Sequence, residues 1–110
     1  MIDISPGDLK IVQDILRKHV PDREVWAFGS RAKRTAKRYS DLDLAVMTDT
    51  PMSFEVSGAL REDFSESDLP WRVDIVDWAT TSETFRRIIE QDKVVVQPGE
   101  KLTDALPPKA

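Results

Sequence analysis

The chain has 110 residues, 40% of them hydrophobic and 33% charged, with a net charge of −4, one histidine and no cysteine. This is enough chain for one domain with a single core, but too little for an elaborate pocket, so a large acceptor has to come from another chain. A disulfide framework, a thiolate zinc site and a multi-histidine metal site are excluded, and the acidic balance argues against nucleic-acid binding, which needs a basic surface.

Ser5-Pro6-Gly7-Asp8 reads as a helix start, with Ser5 as cap and Pro6 in the first turn. The helix predicted over residues 6–19 carries Leu9, Val12, Ile15 and Leu16 on one face. After the break at Val20-Pro21-Asp22, residues 24–28 form a short strand that ends at Gly29-Ser30. A short helix is expected from Ser30 to about residue 36, which sets Ser30 at an amino end where free N–H groups attract phosphate. Residues 42–48 make a second strand, and residues 53–64 a helix with Val56, Leu60 and Phe64 as its packing stripe. Trp71 and Trp78 flank a third strand at residues 72–76. Residues 80–83 offer a capping box for a helix bearing Phe85, Ile88 and Ile89, and residues 94–96 are a fourth strand.

This order predicts an α/β (α+β) domain over residues 1–97, a small mixed sheet with helices mainly on one face, followed by a flexible tail over residues 98–110. No apolar run approaches the roughly 20 residues of a membrane span. Met1-Ile2-Asp3-Ile4 lacks a secretory pattern, so a cytoplasmic protein without membrane contact is expected.

The chemistry concentrates in residues 29–46. Alternate residues of a strand share a face, so Asp41 and Asp43 stand together about 7 Å apart at the backbone. Leu42, Leu44 and Val46 mark that strand as buried, where two ionised carboxylates are costly unless cations compensate them. Asp74 lies between Val73 and Ile75 in the same predicament, and the economical reading is one site with three carboxylates. Such a set can hold two Mg²⁺ ions about 4 Å apart, one activating an attacking hydroxyl and one holding a triphosphate, which is the apparatus of nucleotidyl transfer. Asp74 sits nearest the nucleophile and can accept its proton. The Gly29 and Ser30 turn would hold the β- and γ-phosphates, with Arg31 or Lys33 neutralising their charge. Ser40 either contacts the nucleotide or braces the loop before Asp41. Arg31, Lys33, Arg34, Lys37 and Arg38 put five positive charges into eight residues, a patch that suits one polyphosphate better than a duplex.

The Gly29-Ser30-Arg31 turn, the spacing to Asp41-Leu42-Asp43 and the later Asp74 resemble the minimal nucleotidyltransferase family of the DNA polymerase β superfamily, over roughly residues 5–97. The resemblance implies the nucleotidyltransferase fold, Mg²⁺-ATP as donor and transfer of AMP to a hydroxyl. Short members of that family are commonly antitoxins that adenylylate a tyrosine of a small helical HEPN ribonuclease toxin, so a hetero-oligomer with such a partner is implied. One position departs from the pattern: Arg34 stands where the family usually has glycine, and a left-handed turn there would be strained by arginine. The expectation is that the helix instead runs further.

Two other functions compete. A binding module would neutralise its partner by occlusion without turnover, and a small-molecule, aminoglycoside-type nucleotidyltransferase would need an acceptor-binding domain that these residues do not supply. Asp77 is read as a turn residue, His19 as a helix-end residue, Trp26 as core, and Trp71 and Trp78 as packing around a strand end rather than adenine stacking.

Overall fold

The computed structural model describes residues 2–99, so the tail expected from residue 98 lies, from residue 100 onward, outside the described residues. The chain runs α1 (Pro6–His19), β1 (Val25–Phe28), α2 (Ser30–Lys33), β2 (Leu42–Val46), α3 (Phe54–Ser65), β3 (Val73–Asp77), a 3₁₀ turn (Trp78–Thr80), α4 (Glu83–Asp92) and β4 (Val94–Gln97). Three serines start the long helices. The Ser5 hydroxyl accepts from the Asp8 N–H, Ser53 from Val56 and Ser82 from Phe85, each satisfying a donor that the first turn leaves unpaired. Arg17, Lys18 and His19 end α1, where the dipole favours cations.

The strands form one sheet in the order β3-β2-β1-β4. β1 is antiparallel to β2 and β4, whereas β2 and β3 are parallel. A parallel pair needs a crossover, and α3 provides it. Strand alternation then divides the side chains between two faces. Val25, Ala27, Leu42, Leu44, Val46 and Ile75 meet Val12 and Leu16 of α1 and Leu60 and Phe64 of α3 in the main core. Trp26, Phe28 and Ala45 point to the other face and pack under Ile89 of α4. The mixed sheet is therefore of the expected class, with two helices on one face and α4 covering part of the other. His19 ties the helices of the main core together, its Nε2 lying 2.8 Å from Asp63 Oδ2 of α3.

One element is shorter than its sequence suggests. α2 stops at Lys33 instead of running to about residue 36, because Arg34 takes φ 65° and ψ 33° and turns its N–H back to the Ser30 carbonyl. The left-handed turn is thus kept, with arginine in it. That conformation costs an L-residue roughly 1–2 kcal/mol, which a glycine does not incur. Arg34→Gly is accordingly expected to raise the melting temperature by about 2–5 °C in thermal denaturation followed by circular dichroism. A lower melting temperature would show that the arginine side chain contributes more than its backbone costs.

Candidate active site

Gly29 joins β1 to α2 at φ +78°, and a Cβ built on it would run into the Asp43 carboxylate. Two needs converge on that position: a left-handed backbone and a close approach. The consequence is that the turn and the strand acid touch, so whatever Ser30 and its neighbours bind sits beside Asp43. Ser30 is the first residue of α2 and half-buried, while Lys33 at its end is exposed.

Pairing sets the rest. Asp43 lies directly opposite Asp74 across the parallel β2–β3 pair and opposite Phe28 across the antiparallel β1–β2 pair. All three belong to the face away from the main core, and Phe28 meets Phe85 of α4 edge to face with centroids 5.7 Å apart. The apolar cover of that face therefore stops at the row that carries the acids. Asp41 precedes β2 by one residue and keeps the parity of Asp43. Burial first, then the charges of Asp74 and Asp41, push the Asp43 carboxyl from its ordinary 3.8 up to about 6. Among the described residues no basic side chain stands within ion-pair distance of Asp43; the guanidinium of Arg72 reaches Asp74 at 3.7 Å.

Among the described residues no three His, Cys, Asp or Glu side chains stand close enough to enclose an ion by themselves. Mg²⁺ does not require that. It prefers hard carboxylate oxygens, keeps several waters, and is usually held by one or two protein carboxylates together with substrate phosphates. Asp43 and Asp74 side by side, with Asp41 adjoining and only the exposed Arg72 guanidinium beside Asp74 among the described residues, fit that ligand chemistry.

Arg31 is engaged inside the fold, and Ser40 takes the bracing place that was one of its two readings. The Arg31 guanidinium is buried and donates to the carbonyls of Asp3, Lys37, Arg38 and Ser40 at 2.9–3.4 Å, with its flat face on the Trp71 ring at 4.5 Å. The Ser40 hydroxyl accepts from the Lys37 N–H at 2.8 Å. Both side chains brace the loop that delivers Asp41, while Lys33 at the end of α2 is exposed. No periodicity signals such a clamp, because its acceptors are backbone carbonyls. Asp77 is the last residue of β3 rather than a turn residue; it caps the following 3₁₀ turn and accepts from the Thr48 hydroxyl and from the Met52 N–H. Trp26 and Trp78 pack against each other with centroids 5.2 Å apart.

Two consequences are measurable. The folded chain holds the Asp43 proton more tightly than the unfolded chain, so the metal-free protein should lose stability as pH rises from 3.8 through about 6. Asp43→Asn removes that loss, and its melting temperature should exceed the wild-type value at pH 8 and converge on it at pH 4; equal values at pH 8 would contradict the argument. Gly29→Ala should lower stability by about 2 kcal/mol and, by displacing Asp43, cut any nucleotidyl transfer by at least about a hundredfold, as read by denaturant titration and a labelled-nucleotide assay.

The family model described as polymerase beta, nucleotidyltransferase matches residues 10–101. The chain is 56% identical over 103 residues to "Probable protein adenylyltransferase MntA" of Haemophilus influenzae, covering 94% of this chain and 90% of that protein. In fold it is similar to a toxin–antitoxin crystal structure with AMP-PNP, at TM-score 0.70 and 21% identity over 88% of this chain and 78% of that one. It is also similar to the complex of a tri-AMPylated Shewanella oneidensis HEPN toxin with its MNT antitoxin, at TM-score 0.62 and 20% identity over 91% and 76% of the two chains. No helix among the described residues is long and apolar enough to cross a membrane. With the family model spanning most of its length and a relative of that identity, the chain belongs to the polymerase β nucleotidyltransferase family.

Proposed function

We propose that this nucleotidyltransferase transfers AMP from Mg²⁺-ATP to a hydroxyl, most simply a tyrosine, of a HEPN-type toxin and acts as the antitoxin of that pair in the cytoplasm. The observation that supports the reading is the pairing of Asp43 with Asp74, one carboxylate against another with Asp41 adjoining and, among the described residues, no basic side chain paired with Asp43. The Haemophilus influenzae relative is named as an adenylyltransferase, and the fold neighbours were solved as toxin–antitoxin complexes, one with a nucleotide analogue.

Asp41, Asp43 and Asp74 would hold two Mg²⁺ ions, which when bound neutralise the triphosphate and make the acceptor hydroxyl a better nucleophile. The chain's own residues do the remainder. Gly29 and Ser30 hold the β- and γ-phosphates, and Lys33 offsets their charge. The acceptor oxygen forms its bond to the α-phosphorus as the bond to the pyrophosphate oxygen breaks; pyrophosphate leaves toward Gly29-Ser30 and the hydroxyl proton passes to Asp74. Arg31 and Ser40 keep Asp41 in position by fixing the loop before it.

Neutralisation by occlusion alone draws on one observation, that the three carboxylates do not yet enclose an ion by themselves. The purified chain, labelled ATP, Mg²⁺ and the product of the neighbouring reading frame separate the two. Label is expected on that product, and it should fall by at least about a thousandfold with Asp41→Asn or Asp74→Asn. Neutralisation of the partner by either variant without any labelling would favour occlusion.

A further inference from the structure

The candidate acids stand where the parallel strands β2 and β3 begin: Asp41 one residue before β2, Asp43 and Asp74 the second residues of their strands. A tight turn lies at the same end of the sheet. Residues 37–40 close on themselves, the Ser40 N–H donating to the Lys37 carbonyl at 3.1 Å and the Lys37 N–H to the Ser40 hydroxyl at 2.8 Å. Arg31 holds the turn through the carbonyls of Lys37, Arg38 and Ser40, and its stacking on Trp71 sets the turn beside the approach to β3, the strand that carries Asp74. The Leu42 N–H, which donates to the Arg72 carbonyl at 2.9 Å, fixes the same juxtaposition in the backbone.

Tyr39 belongs to this turn, two residues before Asp41, and is the one tyrosine of the chain. It is 69% exposed. Among the described residues its hydroxyl makes no hydrogen bond, and its ring meets the Arg38 guanidinium at 5.4 Å. Packing therefore gives no account of a large ring held outward on a braced turn. Position and chemistry do. The Cα atoms of residues 39 and 41 are at most about 7 Å apart, so the phenol and the Asp41 carboxylate lie within a side chain's length of each other. A phenol is the most readily ionised of the side-chain hydroxyls, and Lys37 and Arg38 put two exposed cations beside it, which suits the approach of a triphosphate.

We propose that Tyr39 is itself an acceptor, a self-modification site that takes AMP from Mg²⁺-ATP when no partner hydroxyl fills the site. The inference rests on the nucleotidyl-transfer reading. The Tyr39 oxygen forms its bond to the α-phosphorus as the bond to the pyrophosphate oxygen breaks, and the phenol proton passes to Asp74. Transfer within one chain and transfer from a second copy use the same chemistry, and the exposure of the turn admits both.

Intact-mass measurement of the purified chain incubated with Mg²⁺-ATP and no partner tests it, with peptide mapping to locate the added group. Adenylyl mass is expected on Tyr39, absent from Tyr39→Phe and accumulating at least about a thousandfold more slowly in Asp74→Asn. Tyr39→Phe should still label the product of the neighbouring reading frame at the wild-type rate. Dilution separates the two routes: an unchanged first-order rate assigns transfer within one chain, and a rate that falls with concentration assigns transfer from a second copy. If the chain stays unmodified while it labels that product, or if the added mass persists in Tyr39→Phe, the Tyr39 site is overturned and the transfer reading stands. If neither the chain nor the product gains AMP, the transfer reading fails and takes the Tyr39 site with it.

Discussion

Two carboxylates face one another across neighbouring parallel strands, and most of the remaining architecture answers to that repulsion. Asp43 and Asp74 occupy one rung of the β2–β3 ladder, where like charges directly opposite weaken a sheet. The rest of the pairing is ordinary: Leu42 with Val73 and Leu44 with Ile75 on the core side, Ala45 with Val76 on the other. The sheet is therefore held by its flanking rungs while one rung opposes it, and the Asp43 proton affinity records the conflict. Like charges held in register against that cost mark this rung as the candidate functional site.

The two faces of the sheet divide the labour. α1 and α3 seal the larger core with Val12, Leu16, Leu60 and Phe64, none of which is a candidate acid. α4 covers the second face only as far as the Phe28–Phe85 contact, and the acids begin where that cover ends. A separate device holds the loop between α2 and β2. Arg31 gathers the carbonyls of residues 37, 38 and 40 and also that of Asp3, so one guanidinium joins the segment before α1 to the segment before β2. A buried guanidinium satisfied by carbonyls and capped by an indole face is stable without a carboxylate partner. The basic run is consequently not uniform: Arg31 is internal structure, the exposed Arg34 makes the left-handed turn, Arg38 lies over the Tyr39 ring, and Lys33 and Lys37 are exposed.

Much of the fold was legible because its signals are local. The Ser5-Pro6 start and the cationic end placed α1 at its observed bounds, since a cap and a proline act within one turn. Strand ends were off by a residue or two, because pairing decides them: β3 reaches Asp77 only because Val46 lies opposite it. Which face each helix takes was less legible. An amphipathic pattern in α4 says that one side is buried but not against which side of the sheet, and Ile89 chose the side of Trp26 and Ala45. The candidate acids were visible as charges interrupting apolar strands, and the glycine as a turn. The Arg31 clamp was not, because side-chain bonds to distant carbonyls leave no trace in composition or spacing. At Arg34 the family pattern pointed to a left-handed turn and the residue type pointed away from it; the backbone requirement won.

The α3 crossover has a consequence for how the site comes into being. Asp41 and Asp43 are adjacent in the chain and can meet early, but Asp74 reaches them only after the intervening helix has folded back and β3 has docked in parallel beside β2. During synthesis, a polypeptide that has emerged through β2 alone carries two thirds of its acids and no way to arrange the last. The three acids thus reach one face of the sheet only when the parallel β2–β3 pairing forms, not when the motif itself appears.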